Sequence, residues 1–179
     1  MQLATDRLIL REFVEDDWRA VHAIESIPEV VRYLPFGVRS EADAREYVDK
    51  IIGHAGELPR TVFDFAITER GANTLIGRCG LRRKESELRI AYLWFVVDPS
   101  RAGKGYATEA ATAMLAYAFD ELKLHRVYGE CDPRNPSSAR VMEKLGMRRE
   151  AEHLEDIWIK DEWCGTWVFA MLEHEWAAR

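Results

Sequence analysis

The most constraining stretch of this chain is DPSRAGKGYATEA, residues 98–110. It follows the apolar run LRIAYLWFVV and leads into AATAMLAYAFDELKL, and after Gly105 the residues Ala107, Ala110, Ala111, Met114, Leu115, Ala118 and Leu122 recur at helical spacing along one stripe. Two glycines one residue apart, Gly103 and Gly105, therefore stand where a strand hands over to a helix. Such a junction leaves backbone N–H groups without partners at the positive end of the helix dipole, which is a receptor for phosphate. Side chains at 103 or 105 would stand between those groups and phosphate oxygens, and glycine also tolerates the positive φ angles that a nest of N–H groups requires. A plain tight turn fits the same spacing, so the glycines alone leave both readings open. Two nucleotide loops lose support. No GxxxxGK string followed by Ser or Thr occurs, and residues 103–108 read GKGYAT rather than GxGxxG, in the second half of the chain instead of its first βα turn.

Strands and helices alternate around this junction. RLILREF reads as a first strand, and Asp16 and Asp17 are placed to cap a helix running from Trp18 toward Ile24, with Pro28 and Pro35 as punctuation. SEAD at 40–43 has the spacing of a capping box and opens a helix with Ala44, Val48, Ile51 and Ile52 on its apolar side. TVFDFAIT and TLIGRCGLRR, joined by ERGAN, read as a hairpin, and residues 88–97 as the next strand. HRVYGEC is a further strand. In PRNPSSARVMEKLG, Asn135 suits the cap, Pro136 the first helical position and Gly146 the left-handed stop. Strands over roughly 149–158 and 164–172 close the chain around IKDEWC. The order predicts an α/β (α+β) fold, a mixed central sheet of about six to seven strands flanked by about four helices.

Composition bounds the partners. With 179 residues and 47% apolar content the chain builds one core of ordinary size, and no Pro- or Ser-rich linker divides it, so a single domain over residues 1–179 is expected. A formal charge of −6 without a basic run speaks against nucleic acid and suits a cationic or amine-bearing partner. Cys79, Cys131 and Cys164 are odd in number and lack CxxC spacing, which implies neither a disulfide framework nor a zinc site. MQLATDRLIL lacks the pattern of a signal peptide and no apolar run approaches the length of a membrane span, so a cytoplasmic, metal-free protein away from the membrane is expected.

GKGYATEA resembles the pyrophosphate loop of the GNAT superfamily of acetyl-CoA-dependent N-acetyltransferases, and within it the RimJ/RimL type, which acetylates ribosomal-protein N-termini. TDRLILRE resembles that branch's opening strand, TLIGRCGL its third strand, and CDPRNPSSARVMEKLGM its NxxS helix, all in the family's order. The resemblance implies a GNAT-like domain that uses acetyl-CoA as cosubstrate, with a homodimer among its allowed states. It implies cofactor contacts from the backbone of a splayed strand at Phe95, Val96 and Val97, from the loop residues Arg101, Gly103, Lys104, Gly105, Tyr106 and Ala107, and from Asn135. The family's loop often opens on Gln or Arg, where Ala102 aligns here with Arg101 displaced by one. Where many relatives place a tyrosine acid, Met142 stands, and the RimJ/RimL type relies instead on the serine that aligns with Ser138. Carboxylates common elsewhere in the branch align near Tyr92 and near Cys164 or Gly165.

Acetyl transfer from a thioester needs a neutral amine, a site for the developing oxyanion and a proton for the leaving thiolate. Ser138 is the candidate proton donor, with a first-turn capping role as its structural alternative. Glu109, Glu130 and Tyr92 are the candidate proton acceptors through water, each read first as a solvated or structural group, and none is singled out as the base. Trp18, Tyr33, Phe36, Trp163 and Trp167 fall on segments that line the acceptor cleft in the family, or serve the core; His125 reads as structural. An α-amino group with a pKa of about 8 needs less help than a lysine near 10.4, so a protein or peptide N-terminus is the expected acceptor. A polyamine or antibiotic amine is the alternative, and a CoA-binding module without catalysis is the reading outside enzymes.

Overall fold

The computed structural model describes residues 1–84 and 86–179, apart from the side chain of Leu88. Its strands are β1 (Gln2–Ala4), β2 (Leu8–Arg11), β3 (Val62–Glu69), β4 (Leu75–Lys84), β5 (Glu87–Val97), β6 (Arg126–Cys131), β7 (Arg148–Ile159) and β8 (Glu162–Leu172). The helices are α1 (Trp18–Glu25), α2 (Pro28–Val31), α3 (Glu41–Ala55), α4 (Tyr106–Ala116), α5 (Pro136–Lys144) and α6 (Glu173–Ala177). The strands form one sheet in the order β1-β2-β3-β4-β5-β6-β8-β7, antiparallel at every step except the parallel β5–β6 pair.

Eight strands and six helices exceed the six to seven and four expected from sequence. The additional elements are β1, α2 and α6, each of at most five residues and too short to carry a periodic signal. Pro28, read as punctuation, occupies the first position of α2, where its missing N–H costs nothing. The capping roles given to Asp16 and Asp17 are also corrected. Residues 15–17 form a 3-10 turn running into α1, and the Asp17 carboxylate accepts the Val14 N–H at 2.9 Å and grips the Arg11 guanidinium at 2.7 and 2.8 Å. The capping box at α3 is present, with Ser40 Oγ accepting the Asp43 N–H and Asp43 Oδ2 accepting the Ser40 N–H.

Two hydrophobic layers sandwich the sheet. Phe63, Phe65, Cys79, Leu81, Ala91 and Leu93 point to one face, where they pack with Ala110, Ala111 and Met114 of α4 and Met142 of α5. Burying one side chain of the size of Met114 or Leu115 is worth about 1.5–3 kcal/mol. Val62, Ala66, Trp94 and Val96 point to the other face, against Val21 and Ile24 of α1 and Ala44, Val48 and Ile51 of α3. Period-two alternation thus sends odd-numbered residues of β5 toward α4 and even-numbered ones toward α3.

Candidate active site

The parallel β5–β6 ladder is short. It holds Ile90, Ala91 and Tyr92 against Arg126, Val127 and Tyr128, and beyond Tyr92 the two strands part while β5 stays paired to β4 as far as Val97. Backbone groups alternate between the two edges of a strand. The Val96 carbonyl faces β4, since a Cβ at Gly77 would lie 2.4 Å from its oxygen, whereas the Leu93 carbonyl oxygen lies 3.4 Å from where a Cβ on Gly129 of β6 would sit. Phe95 and Val97 therefore turn their backbone groups into the gap. Val96, the third of the expected trio, turns its own toward β4 and gives only its side chain to the wall of a cavity on the α3 side.

The glycine loop follows directly. Gly103 and Gly105 adopt φ of 77° and 80°, the left-handed region that a Cβ disfavours. The Arg101 and Ala102 N–H groups bond back to Asp98 and Pro99, and the Glu109 N–H bonds to the Gly105 carbonyl at 3.0 Å. Between them, from Gly103 through Thr108, no backbone N–H has an acceptor among the described residues. These groups crown the N-terminus of an 11-residue helix, and their surroundings are open at Gly103.

Side chains brace this loop from beneath. The Arg7 guanidinium donates to the Lys104 carbonyl at 2.9 Å, lies over the Tyr106 ring at 4.8 Å and pairs with Glu109. Tyr106 Oη and Arg101 Nη1 both donate to Glu69 Oε1 at the end of β3, at 2.7 and 3.1 Å. Arg101 and Tyr106 are thus occupied in positioning the loop, and Lys104 is the loop's exposed cation without an ion pair among the described residues. Burial would raise the Glu109 carboxyl, but hydrogen bonds from Thr5 and Arg7 outweigh it and hold the group below its ordinary range, so Glu109 is structural.

Past the gap, β6 leads into α5. Asn135 Oδ1 accepts the Ser138 N–H at 3.1 Å and so caps the helix. The Ser138 hydroxyl is not needed for that task and makes no hydrogen bond among the described residues. Met142, at the position of the family's tyrosine, is buried in the core beside Gly129.

On the α3 side of the sheet two cavities meet at Pro35 and Tyr92. One, of about 120 Å³, lies between Tyr33, Tyr92, Glu130 and the β7–β8 hairpin. The other, of about 500 Å³, runs under Phe36 and Arg39 against α3, with Asp64, Arg78, Arg82 and Trp94 on its floor. Tyr92 stacks on Trp94 with centroids 6.1 Å apart, and burial first, then Glu130, pushes its hydroxyl up to about 12, so it remains a neutral phenol. Of the five aromatics singled out from sequence, Tyr33 and Phe36 line these cavities. Trp18 stacks with Arg45 at 3.4 Å, Trp163 sits against Trp158 on the exposed hairpin, and Trp167 packs beside the core under Arg149, all three away from both cavities. His125, just before β6, binds Glu173 at the start of α6, as a structural group would.

Sequence reasoning missed the polar floor of the larger cavity. Glu25, 1% exposed, bridges Arg39 and Arg78, and the Tyr47 hydroxyl donates to Asp64 Oδ2. Burial raises the Asp64 carboxyl, with Arg78 and then Tyr47 pulling it down. Asp64 Oδ1 and Trp94 Nε1 are buried without a partner of hydrogen-bonding geometry among the described residues, although the indole stands close enough to lower the Asp64 carboxyl. Gly80 makes room for this arrangement: a Cβ there would lie 2.3 Å from the Trp94 ring. The available signal was a charged residue inside each of two apolar strands, Asp64 in TVFDFAIT and Arg78 in TLIGRCGL.

A profile described as Acetyltransferase (GNAT) domain matches residues 7–148. A Bacillus subtilis (strain 168) protein named Uncharacterized N-acetyltransferase YnaD is 39% identical over 98% of this chain and 99% of its own. The Spermidine N(1)-acetyltransferase of Escherichia coli (strain K12) is 27% identical over 94% of this chain and 88% of its own. Among solved structures, an acetyltransferase (GNAT family) from Bacillus anthracis superposes with a TM-score of 0.88 at 38% identity, covering 98% of this chain and all of that one.

Proposed function

As a member of the GNAT acetyltransferase family this chain is an acetyl-CoA-dependent N-acetyltransferase, and we propose that its acceptor is the α-amino group of a protein or peptide, as in the RimJ/RimL type. The observation that carries the choice of acceptor is the charge balance of the two cavities. Asp132 and Glu162 are taken by Arg134 and Asp64 faces Arg78, while Arg39, Lys50 and Arg82 line the walls together with the carboxylates Asp43, Glu46 and Glu130. A polycation would need a run of unneutralised carboxylates, whereas a single amine on an otherwise neutral or mixed-charge chain fits walls of both signs.

The proposed roles follow from placement. The N–H row from Gly103 to Thr108, with Lys104 beside it, receives the pyrophosphate of acetyl-CoA on the α4 side of the sheet. The backbone of Phe95 and Val97 receives the pantetheine arm and the thioester oxygen in the gap, and Asn135 fixes the turn that brings Ser138 to the same opening. The amine comes from the cavity side and attacks the acetyl carbon directly. Ser138, its hydroxyl uncommitted, gives the proton to the leaving thiolate. Three free cysteines suit a reducing compartment such as the cytoplasm.

Spermidine is the second reading, favoured by the Escherichia coli relative. The test offers spermidine and two short basic peptides, one with a free N-terminus and blocked lysines, the other reversed, and follows CoA release. Preference for the free N-terminus is expected. Faster use of the lysine peptide sinks the α-amino reading, and spermidine outcompeting both peptides replaces it with the polyamine one.

A further inference from the structure

We propose that Glu130 is the proton acceptor for the incoming amine, an assignment that rests on the acetyl-transfer reading above. Its place in the sheet comes first. The last rung joining β5 and β6 is Tyr92 opposite Tyr128, and Glu130 stands two residues further along β6, where the strands have already parted. Alternation puts it on the same face as Tyr128, whose ring meets Tyr92 edge-on at 5.5 Å, and opposite to Val127 and Cys131, which enter the core beneath α4 and α5. The cofactor loop and Ser138 belong to that other face. Glu130 therefore flanks the gap on the acceptor side, across the sheet from the proposed proton donor.

Availability is the second observation. Three carboxylates line the smaller cavity. Arg134 binds Asp132 at 2.7 Å and Glu162 at 3.0 Å; it holds Glu162 below its ordinary range and overcomes burial to do the same to Asp132. Glu130 has no hydrogen bond or ion pair with any described residue, and its side chain reaches solvent. It faces the Tyr92 hydroxyl from β5, Tyr128 on its own strand, His153 and Asp156 from β7 and uncharged Val168 across the rung from β8. The packed protein and Asp156 push its carboxyl up while His153 opposes them, which brings a carboxylate base closer to the pH at which it works. The alternatives fall away: Glu109 is held by Thr5 and Arg7, and Tyr92 is a neutral phenol.

The step balances as RNH3+ plus acetyl-S-CoA giving RNH-acetyl, HS-CoA and H+. The C–N bond forms and the C–S bond breaks. One nitrogen proton passes through Glu130 to solvent, and a second replaces the proton that Ser138 gives the thiolate.

Glu130→Gln tests this through the pH profile of kcat/KM, measured with the free-N-terminus peptide and with spermidine. With the base present, the protonated peptide is used and the profile is flat between the titration of Glu130 and that of the amine. Without it, only free amine reacts, so with the peptide the rate rises about tenfold per pH unit up to about pH 8, and with spermidine, whose amines resemble that of lysine, up to about pH 10. With the peptide, unmodified protein should exceed the variant by about 100-fold at pH 6 and by no more than about twofold at pH 9, with acetyl-CoA affinity and melting temperature unchanged. A ratio that stays constant with pH, or no loss at all, overturns Glu130 while acetyl transfer stands. The profile of the unmodified protein is a check that needs no variant: proportionality to free peptide amine from pH 6 to 8 also overturns it. Absence of turnover in the unmodified protein with both acceptors removes the proposed function and the base with it.

Discussion

Replacing Glu25 by Gln removes the negative charge that two arginines share beneath the larger cavity. Arg78 donates to Glu25 Oε1 at 2.7 Å and Arg39 donates to Oε2. Arg78 is 7% exposed, and its remaining carboxylate, Asp64 at 3.6 Å, is itself pushed toward its neutral form by burial. Breaking a buried pair by removing one partner costs about 3–5 kcal/mol. Gln keeps the shape and one acceptor oxygen, which places the loss near the lower end, about 3 kcal/mol. At about 2–4 °C per kcal/mol for a chain of this size, the melting temperature should fall by about 6–12 °C in calorimetry. A functional change should accompany it. Arg39 also lies over Phe36 and Tyr47, at 4.3 and 4.4 Å, so its pairing with Glu25 holds down the segment that roofs the cavity. Freed, that segment should raise the acceptor KM several-fold and leave acetyl-CoA affinity alone. A fall of less than about 2 °C would refute the view of Glu25 as the keystone of a dry charge cluster.

Ser138→Ala should lower turnover by about 10- to 1000-fold with little change in acetyl-CoA affinity or melting temperature, measured on one sample, because Asn135 and not Ser138 caps α5. Asn135→Ala should give the stability loss that Ser138→Ala does not, about 1 kcal/mol by denaturant titration. For Glu109, a folded carboxyl held below its unfolded value contributes stability that is full above the ordinary Glu range and is lost as pH falls through the folded value. Glu109→Gln should therefore be less stable by about 1 kcal/mol at pH 7, and melting curves taken down to pH 3 should show the two proteins converging in acid.

Much of this architecture was legible in local patterns. The strand–glycine–helix junction, the capping box at Ser40 and the Asn135-Pro136 helix start are signals in which a few adjacent residues fix the backbone, and each appears where the sequence placed it. Short elements lacked such a signal, and Asp17 was misread because an acidic residue before a helix suits a cap, while here its carboxylate reaches back to Val14 and Arg11. The site was legible only in its backbone half. That Val96 faces β4 while Phe95 and Val97 face the gap depends on which edge of β5 meets β6, a tertiary fact. Glu25, Asp64 and Arg78 are far apart in sequence and become a cluster only when α1 and α3 close over the sheet. Glu130 gained its distinction from Arg134, which occupies the neighbouring acids.

The most direct test concerns the N–H row of the loop and is a calorimetric titration of Gly105→Val with acetyl-CoA. Gly105 holds φ at 80°, and the nearest atom to an added Cβ would be Arg7 Nη2 at 3.5 Å, so valine has room but must leave or strain the left-handed conformation at about 1–2 kcal/mol. The fold should survive that cost while the N–H groups from Gly103 to Thr108 lose their common direction. Acetyl-CoA should then bind at least about tenfold more weakly to a protein that still melts cooperatively. Unchanged affinity in the folded variant would contradict the phosphate cradle and the cofactor placement built on it.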